Sequence, residues 1–304
     1  TAISFSEWYQ TEDGQFPSGA VLDNATTSGS GGIIIEDLVS RVSLLDAWET
    51  GTTRSAVSSG SNRLLIVGIV NEDSGTDINV DTVEFGGQQL TEIDDRQIGT
   101  GFSNGMWVGY LDEAGIASSS GTTIALTGAA PTANNGTAYT SAIFENVDQT
   151  TPIRGDSGNA LTSGTNITAS AAVTVEDGDM MFYISESTTG VSHTAATGYT
   201  EGTQEDTAGD EFTMASAYKA ITADGSEYPE AIWSGAGNRL LMVAGAIQPA
   251  STLATVMSQE VDFDWVENQN DWGEVIWNGD EPSGSTVRMQ VYYTSATACD
   301  TLVP

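Results

Sequence analysis

Alternating carboxylates in one short segment are the residues whose spacing most directly suggests chemistry. Glu260, Asp262 and Asp264 alternate with the apolar residues Val261 and Phe263. Alternate residues of a β-strand point to the same face, so the three carboxylates would share one face. Two such groups can act as nucleophile and general acid in glycoside hydrolysis. The simpler interpretation, which we favour, is the solvated face of an acidic strand. A glycoside hydrolase is the third function that we consider.

One histidine and one cysteine restrict the nucleophilic and metal chemistry open to this chain. His193 lies between Gly190 and Thr194 in a segment typical of a loop. A Ser-His-Asp triad needs a base oriented by a carboxylate and a nucleophile on a fixed turn. A loop histidine does not provide either by itself, so we expect His193 to be exposed and without a catalytic role. Cys299 alone can form neither an internal disulfide nor a cysteine-based metal cluster.

Two acidic segments have the composition of calcium-binding loops, in which about six to eight oxygen atoms surround the ion. They span residues 71–77 and 205–211, and their candidate ligands are Asp73, Asp77, Asp206 and Asp210. Neither segment has the EF-hand spacing, and clusters of carboxylates also arise by chance in a chain this acidic. Calcium is the only cofactor that we consider.

The charge of the chain limits its partners. Eight Lys and Arg residues stand against 42 Asp and Glu residues, which gives a formal net charge of −34. A nucleic acid or an anionic membrane surface requires a basic binding surface, so we expect neither as a partner. Copies of such a chain can associate only where counterions screen their repulsion. Lys219 is the only lysine, so any lysine chemistry would depend on it.

The composition is typical of an exported protein, with abundant Thr, Ser, Gly and Asn and a single Lys. No apolar run approaches the roughly 20 residues of a membrane helix, so we expect no membrane insertion. The chain begins Thr1-Ala2 without a methionine, which favours a processed protein whose leader has been removed. We therefore expect an extracellular or cell-surface location.

Aromatic residues near the end of the sequence raise the alternative function of a carbohydrate-binding or adhesive surface module. Trp265, Trp272 and Trp277 could form a platform on which sugars stack. Trp272 and Trp277 are five residues apart and would lie on opposite faces of a strand, which favours packing instead. The sequence also contains the N-glycosylation sequons that begin at Asn24, Asn135 and Asn166.

Short apolar runs separated by polar turns predict an all-β fold. Two of the runs, after Asn62-Arg63 and after Asn238-Arg239, are near-copies that open and close this pattern. The segments between them do not repeat, so we interpret the copies as two strands of one sandwich and not as an internal duplication. We expect the two arginines to supply counter-charges to acidic strands. The predicted fold is a jelly-roll-like antiparallel β-sandwich with flanking β segments.

The pattern divides the chain into three parts. Residues 1–55 form a dependent N-terminal segment that is a candidate for contacts between subunits. Residues 56–249 form the sandwich. Residues 250–304 contain three strand patterns, which are few for an independent domain. This small module is either completed by a neighbouring subunit or packed on the sandwich.

Four motifs occur in one order along residues 62–67, 83–91, 107–111 and 144–152. Together they resemble a jelly-roll-like repeat module of large secreted and surface proteins of bacteria, over about residues 61–248. The resemblance implies a structural or adhesive extracellular module without shared catalytic residues. The tail from Trp272 to Ser295 looks like part of another repeat type of such proteins. The segment from Glu260 to Asp264 is similar to the E-x-D-x-E strand of laminarinase-type glucanases, with a third acid one methylene shorter.

We therefore expect a non-enzymatic structural protein, a subunit of a cell-surface or secreted fibre. Dependent segments at both ends could complete each other between neighbours and build the fibre head to tail through β-strand contacts. The expected partners are further copies of the chain or other surface proteins, and glycans under the alternative function.

Overall fold

The computed structural model describes residues 40–73, 82–99, 103–127, 136–187, 190–207 and 212–250, and six short strands nearer the two ends. Over these residues the protein is almost entirely β, with several antiparallel sheets, which confirms the predicted fold class. None of the helical structure described there is long and apolar enough to cross a membrane.

The elements follow one another along the chain in a single order. They are β1 (Val21–Asp23), β2 (Ala25–Thr27), β3 (Ile33–Ile35), β4 (Ser43–Thr50), β5 (Leu64–Asp73), β6 (Thr82–Phe85), β7 (Gln88–Gln89), β8 (Thr91–Ile98), β9 (Ser103–Leu111), α1 (Glu113–Ser118), β10 (Ile124–Thr127), β11 (Thr137–Glu145), β12 (Ile153–Leu161), β13 (Gly164–Thr168), β14 (Val173–Val175), β15 (Met180–Ser187), β16 (His193–Ala195), β17 (Thr200–Asp206), β18 (Thr213–Ala220), β19 (Gly225–Glu227), β20 (Glu230–Gly237), β21 (Leu240–Ile247), β22 (Thr255–Met257), β23 (Tyr292–Ser295) and β24 (Ala298–Leu302).

The chain divides into two compact units. Thr1–Leu38 and Thr252–Pro304 form one unit, and in it β1 pairs with β22, β2 with β3, and β23 with β24. Val39–Ser251 forms the other unit, which is the sandwich. The sandwich thus begins at Val39 and not at residue 56, because β4 pairs with β11 inside one of its sheets.

Two five-stranded antiparallel sheets form the centre of the sandwich. The first sheet has the order β4-β11-β5-β9-β8, and the second has the order β12-β21-β15-β18-β17. The inner strands β5 and β21 are the near-copies that follow Asn62-Arg63 and Asn238-Arg239. Both are continuous apolar runs because side chains on both of their faces are buried.

The two sheets have the same topology. The five strands of each sheet can be numbered one to five in the order in which they occur along the chain. From one edge of the sheet to the other, both sheets then have the order one, five, two, four, three. The smaller sheets repeat as well, since β10 pairs with β6 in the first half and β20 pairs with β16 in the second. The sandwich is therefore a structural duplication, with two halves of the same strand order, which the sequence interpretation did not predict. The two near-copies did not reveal this repeat because they occupy different positions in it. Along the chain, β5 is the second strand of its sheet and β21 is the fifth strand of the other.

The duplication produces four layers with three buried apolar clusters between them. The inward faces of the two large sheets pack together around Leu64, Ile66, Phe144, Phe182 and Val243. The outward face of the first sheet is covered by β6, β7 and β10, and that of the second is covered by β13, β16 and β20 together with β14 and β19. We call these outer layers the first cover and the second cover.

Candidate functional site

His193 lies in β16 of the second cover and is buried, so the prediction of an exposed loop histidine is wrong. Pairing with β20 places it opposite Trp233, and its ring points toward the large sheet beneath. Its Nε2 is 3.0 Å from the hydroxyl of Tyr183, and its Nδ1 is 3.2 Å from Oε2 of Glu201. Burial lowers the pKa of His193, which keeps the ring neutral near pH 7.

These contacts connect Tyr183, His193 and Glu201 in the way that a nucleophile, a base and an orienting acid are connected in an active site. Tyr183 is fully buried, however, and burial raises its pKa, which disfavours the phenolate that would act as nucleophile. Glu201 also accepts a hydrogen bond of 2.7 Å from the backbone N–H of Ala195 through Oε1. This network therefore holds the second cover on its sheet and provides no accessible nucleophile.

The first half of the sandwich contains a similar contact between a glutamate and a buried ring nitrogen. Oε2 of Glu92 accepts a hydrogen bond of 2.9 Å from the indole N–H of Trp107. Glu92 and Glu201 both lie in the third strand of their sheet and beside a register shift in its pairing. In each half a glutamate at the edge strand thus contacts a buried ring nitrogen, which indicates a structural role for both.

Residues 101–105 have the G-x-S-x-G spacing of a nucleophile elbow. An elbow places its serine on a tight turn between a strand and a helix. Ser103 is instead the first residue of β9, opposite Asp73 in the first sheet. His193 lies in the second cover, so the second sheet separates the serine from the only histidine. The two residues do not form a triad.

A second polar network lies in the interface between the two large sheets. It consists of Glu72 on β5, Asn104 on β9, Glu186 on β15 and Arg239 just before β21, and we call it the Glu186 network. Arg239 pairs with Glu72 at 2.8 Å, and the side-chain amide of Asn104 donates a hydrogen bond to Oε1 of Glu186. Glu186 is not among the residues predicted from sequence, where its only signal is a carboxylate inside an apolar strand.

The environment of Glu186 favours the neutral acid. Burial raises its pKa to about 8, and the charge of Glu72 acts in the same direction. The hydrogen bond from Asn104 and the charge of Arg239 lower the pKa, but by less than burial raises it. Glu186 therefore carries its proton at neutral pH, whereas Glu72 forms an ion pair.

The proposed calcium ligands are only partly within the described residues. Asp73 ends β5, and Asp206 ends β17, where its Oδ1 accepts a hydrogen bond of 2.6 Å from the hydroxyl of Thr213. Asp77 and Asp210 lie outside the described residues. Within the described part of the chain, no group of three or more His, Cys, Asp or Glu side chains is arranged to hold a metal ion.

Several other predicted residues also lie outside the described part of the chain: Glu260, Asp262, Asp264, Trp265, Trp272, Trp277, Asn24 and Asn135. Asn166 is described and exposed at the surface of β13, where its side-chain amide donates a hydrogen bond of 2.9 Å to Glu230.

The basic side chains are used within the sandwich. Arg239 pairs with Glu72 of β5, as predicted for a counter-charge to an acidic strand, whereas Arg63 pairs with Glu113 at the start of α1. The other described ion pairs of Lys and Arg are Arg41–Asp177, Arg96–Asp94, Arg154–Asp179, Arg154–Glu176 and Lys219–Glu227. Most carboxylates of the chain have no basic residue to balance them, since 42 acids face eight bases.

All four edge strands of the large sheets are irregular. Register shifts interrupt the pairing of β4, β8, β12 and β17 with their neighbours, whereas the four inner pairings run without a shift. Edge strands also carry charge, as in the run Glu92, Asp94 and Asp95 of β8. Bulges and charged side chains hinder the addition of a further strand at an edge.

The strand pairing outside the sandwich joins distant parts of the chain. Residues of β1 and β22 pair antiparallel, with Val21 opposite Met257, Leu22 opposite Val256 and Asp23 opposite Thr255. The sequence analysis placed such a contact between neighbouring subunits, and here the two segments pair within one chain. A scan against protein-family models and searches of curated proteins and of solved structures found no match to this chain, so the resemblance to bacterial surface repeats stays a prediction.

Proposed function

We propose that this chain is a non-enzymatic extracellular structural protein whose copies assemble head to tail into a fibre. The observation that carries the proposal is the pairing of β1 with β22. The same backbone hydrogen bonds form whether the two strands belong to one chain or to two neighbours. Exchange of this pairing between copies is therefore a low-cost route to association. Because the exchanged surfaces differ, the contact is heterologous, and a linear assembly grows when the rotation between successive copies does not close a ring.

The edges of the sandwich support growth through the terminal strands. An open sheet edge invites strand addition, but β4, β8, β12 and β17 are all bulged. Side-by-side association of sandwiches through these edges would also bring acidic strands together. Among the strand pairings described, that of β1 with β22 joins a segment that precedes the sandwich in the sequence to a segment that follows it.

Charge sets the conditions for this assembly. Copies with a formal net charge of −34 repel one another at low ionic strength. Salt shortens the range of this repulsion, and calcium or another divalent cation can reduce it further. Assembly should therefore increase with salt and with divalent cations. The Thr- and Ser-rich, lysine-poor composition supports an extracellular or cell-surface location.

Cysteine cross-linking between copies tests the proposal directly. Leu22→Cys and Val256→Cys would be made in separate full-length proteins, each with Cys299→Ser to remove the native thiol. Paired residues of neighbouring strands lie within the Cα separation that a disulfide spans. After mixing and mild oxidation in salt, we expect a disulfide-linked dimer of the two variants.

The control replaces Leu22→Cys with Thr26→Cys, because Thr26 pairs with Ile34 and not with β22. This control should give little dimer when it is mixed with the Val256→Cys protein. Equal yields from the two mixtures would mean that the thiols meet by collision. No dimer with Leu22→Cys under any salt or calcium condition would contradict exchange of the strands.

A further inference from the structure

Glu186 is a fully buried carboxyl group in a largely apolar interface. The duplication identifies its counterpart in the first half, because Glu186 lies opposite Met214 on strand four and Val70 lies opposite Met106 on strand four. Both positions face the interface between the two large sheets. One half thus has an apolar side chain where the other has a fully buried carboxyl group.

Polar groups from both sheets surround this carboxyl group: Asn104 and Glu72 belong to the first sheet, and Arg239 precedes β21 of the second. Asn104 on β9 donates to its Oε1, and Glu72 on β5 and the guanidinium of Arg239 are the charged groups that act on it. Oε2 of Glu186 and Oδ1 of Asn104 are buried and have no hydrogen-bond partner among the described residues. Two adjacent side chains therefore each have one satisfied and one unsatisfied atom.

One proton on Glu186 would satisfy both atoms. A neutral carboxyl group and a primary amide form a reciprocal pair, in which the amide N–H donates to one oxygen and the acid O–H donates to the amide oxygen. The first of these two bonds is present between Asn104 and Glu186. The second would join Oε2–H of Glu186 to Oδ1 of Asn104.

We propose that the acid–amide pair of Glu186 and Asn104 is a pH-sensitive latch between the two halves of the sandwich, closed when Glu186 is protonated and released when it ionises. On release, the proton on Oε2 passes to a base in solution, and no covalent bond between heavy atoms forms or breaks. The remaining carboxylate is buried beside Glu72 and faces the oxygen of Asn104, so both of these contacts become repulsive. The interface near β5, β9 and β15 then opens to hydrate the charge.

The direction of the effect follows from burial. The pKa of Glu186 is raised to about 8 in the folded protein, above that of an exposed glutamate. The latch is therefore fully closed below about pH 4.3, the usual pKa of an exposed glutamate, and its stabilising effect is lost progressively as the pH rises to about 8. Arg239 does not prevent the release, because its attraction is smaller than the effect of burial.

Hydrogen exchange of the full-length protein, followed by mass spectrometry between pH 6 and 9.5, tests this latch. After correction for intrinsic exchange rates, protection of the amides of residues 104–106 and 184–187 should fall up to about tenfold per pH unit between pH 6 and 8 and should level off above pH 8. Residues 180–182, at the other end of β15, should keep their protection. In Glu186→Gln the two amides can still form a reciprocal pair, so the pH dependence should disappear.

A control and a second variant complete the test. Glu84→Gln, on β6 of the first cover, should retain the wild-type pH dependence. Glu186→Val introduces the residue type found at position 70, removes the titration, and serves if the glutamine variant folds poorly. The same loss of protection between pH 6 and 8 in either Glu186 variant as in the wild type would overturn the proposal.

Discussion

Gly68 provides a test of the packing between the two halves of the sandwich. It lies in β5 of the first sheet, and a Cβ atom built there would be 2.3 Å from Cδ1 of Ile184 in β15 of the second sheet. The same atom would be 3.2 Å from Cγ2 of Ile184. Ile184 is fully buried in the apolar cluster between the sheets. Gly68→Ala therefore adds a methyl group to space that is already filled.

The expected cost follows from these contacts. Overpacking a well-packed core by one methyl group costs roughly 1–3 kcal/mol. Ile184→Val removes Cδ1, the nearest atom, and costs roughly 0.5–1.5 kcal/mol by itself. In the double variant the added methyl group occupies part of the space that Cδ1 leaves. We therefore expect the double variant to be more stable than the sum of the single effects predicts, by about 1–2 kcal/mol.

Urea denaturation of the full-length variants, followed by tryptophan fluorescence, measures these free energies of unfolding. Gly121→Ala is the matched control, because nothing lies within 4 Å of a Cβ built at that position. It should leave stability nearly unchanged. If Gly68→Ala and Ile184→Val were additive within about 0.5 kcal/mol, the two residues would not be in contact and the face-to-face packing would be refuted.

Three further predictions concern buried groups. The contribution of His193 to stability should fall as the pH drops below about 6.5, because the unfolded chain then binds a proton that buried His193 resists; between pH 7 and 5.5, His193→Gln should lose less stability, or gain more, than the wild type in urea titrations, and equal changes in the two proteins would exclude this cause. Glu72→Gln breaks the partly buried pair with Arg239 and should cost about 3 kcal/mol by urea denaturation, whereas a cost below about 1 kcal/mol would mean that the pair is weak. Phe85→Ala, beneath the first cover, should cost roughly 3–5 kcal/mol in the same assay, against almost nothing for exposed Tyr228→Ala, and similar effects of the two would contradict the burial of Phe85.

The strand pattern was sufficient to predict the all-β class. The apolar runs that become β5, β15 and β21 are bounded by turn residues, so their length and composition identify them as buried strands. The hairpin at Gly86-Gly87 was also predictable, since both glycines have positive φ angles that suit a tight turn. Buried strands and tight turns are predictable in this way because strand and turn propensities depend only on residues that are close together in the sequence.

The duplication was not predictable from the repeated motif. Similar sequences at β5 and β21 reflect similar burial, and their places in the topology differ. Strands at equivalent positions of the two sheets, such as β5 and β15, differ in sequence. Val70 of β5 corresponds to Glu186 of β15, for example. Strand order depends on pairings between residues far apart in the chain, and a sequence pattern of period two does not encode them.

The polar networks were missed for the same reason. His193 follows a glycine- and serine-rich segment, so its sequence context is that of an exposed turn. It is buried because β16 pairs with β20 and places the ring over Tyr183. Glu186 and Asn104 are 82 positions apart and meet only when the two sheets pack together.

Head-to-tail assembly is tested most directly by sedimentation velocity of the full-length protein over a series of NaCl and CaCl2 concentrations. Electron micrographs of the same samples would show the form of any assembly. Exchange of the β1–β22 pairing predicts a monomer at low ionic strength that converts, as salt or calcium increases, to a broad distribution of fast-sedimenting species visible as unbranched fibres. A single monomeric boundary under every condition would contradict the account.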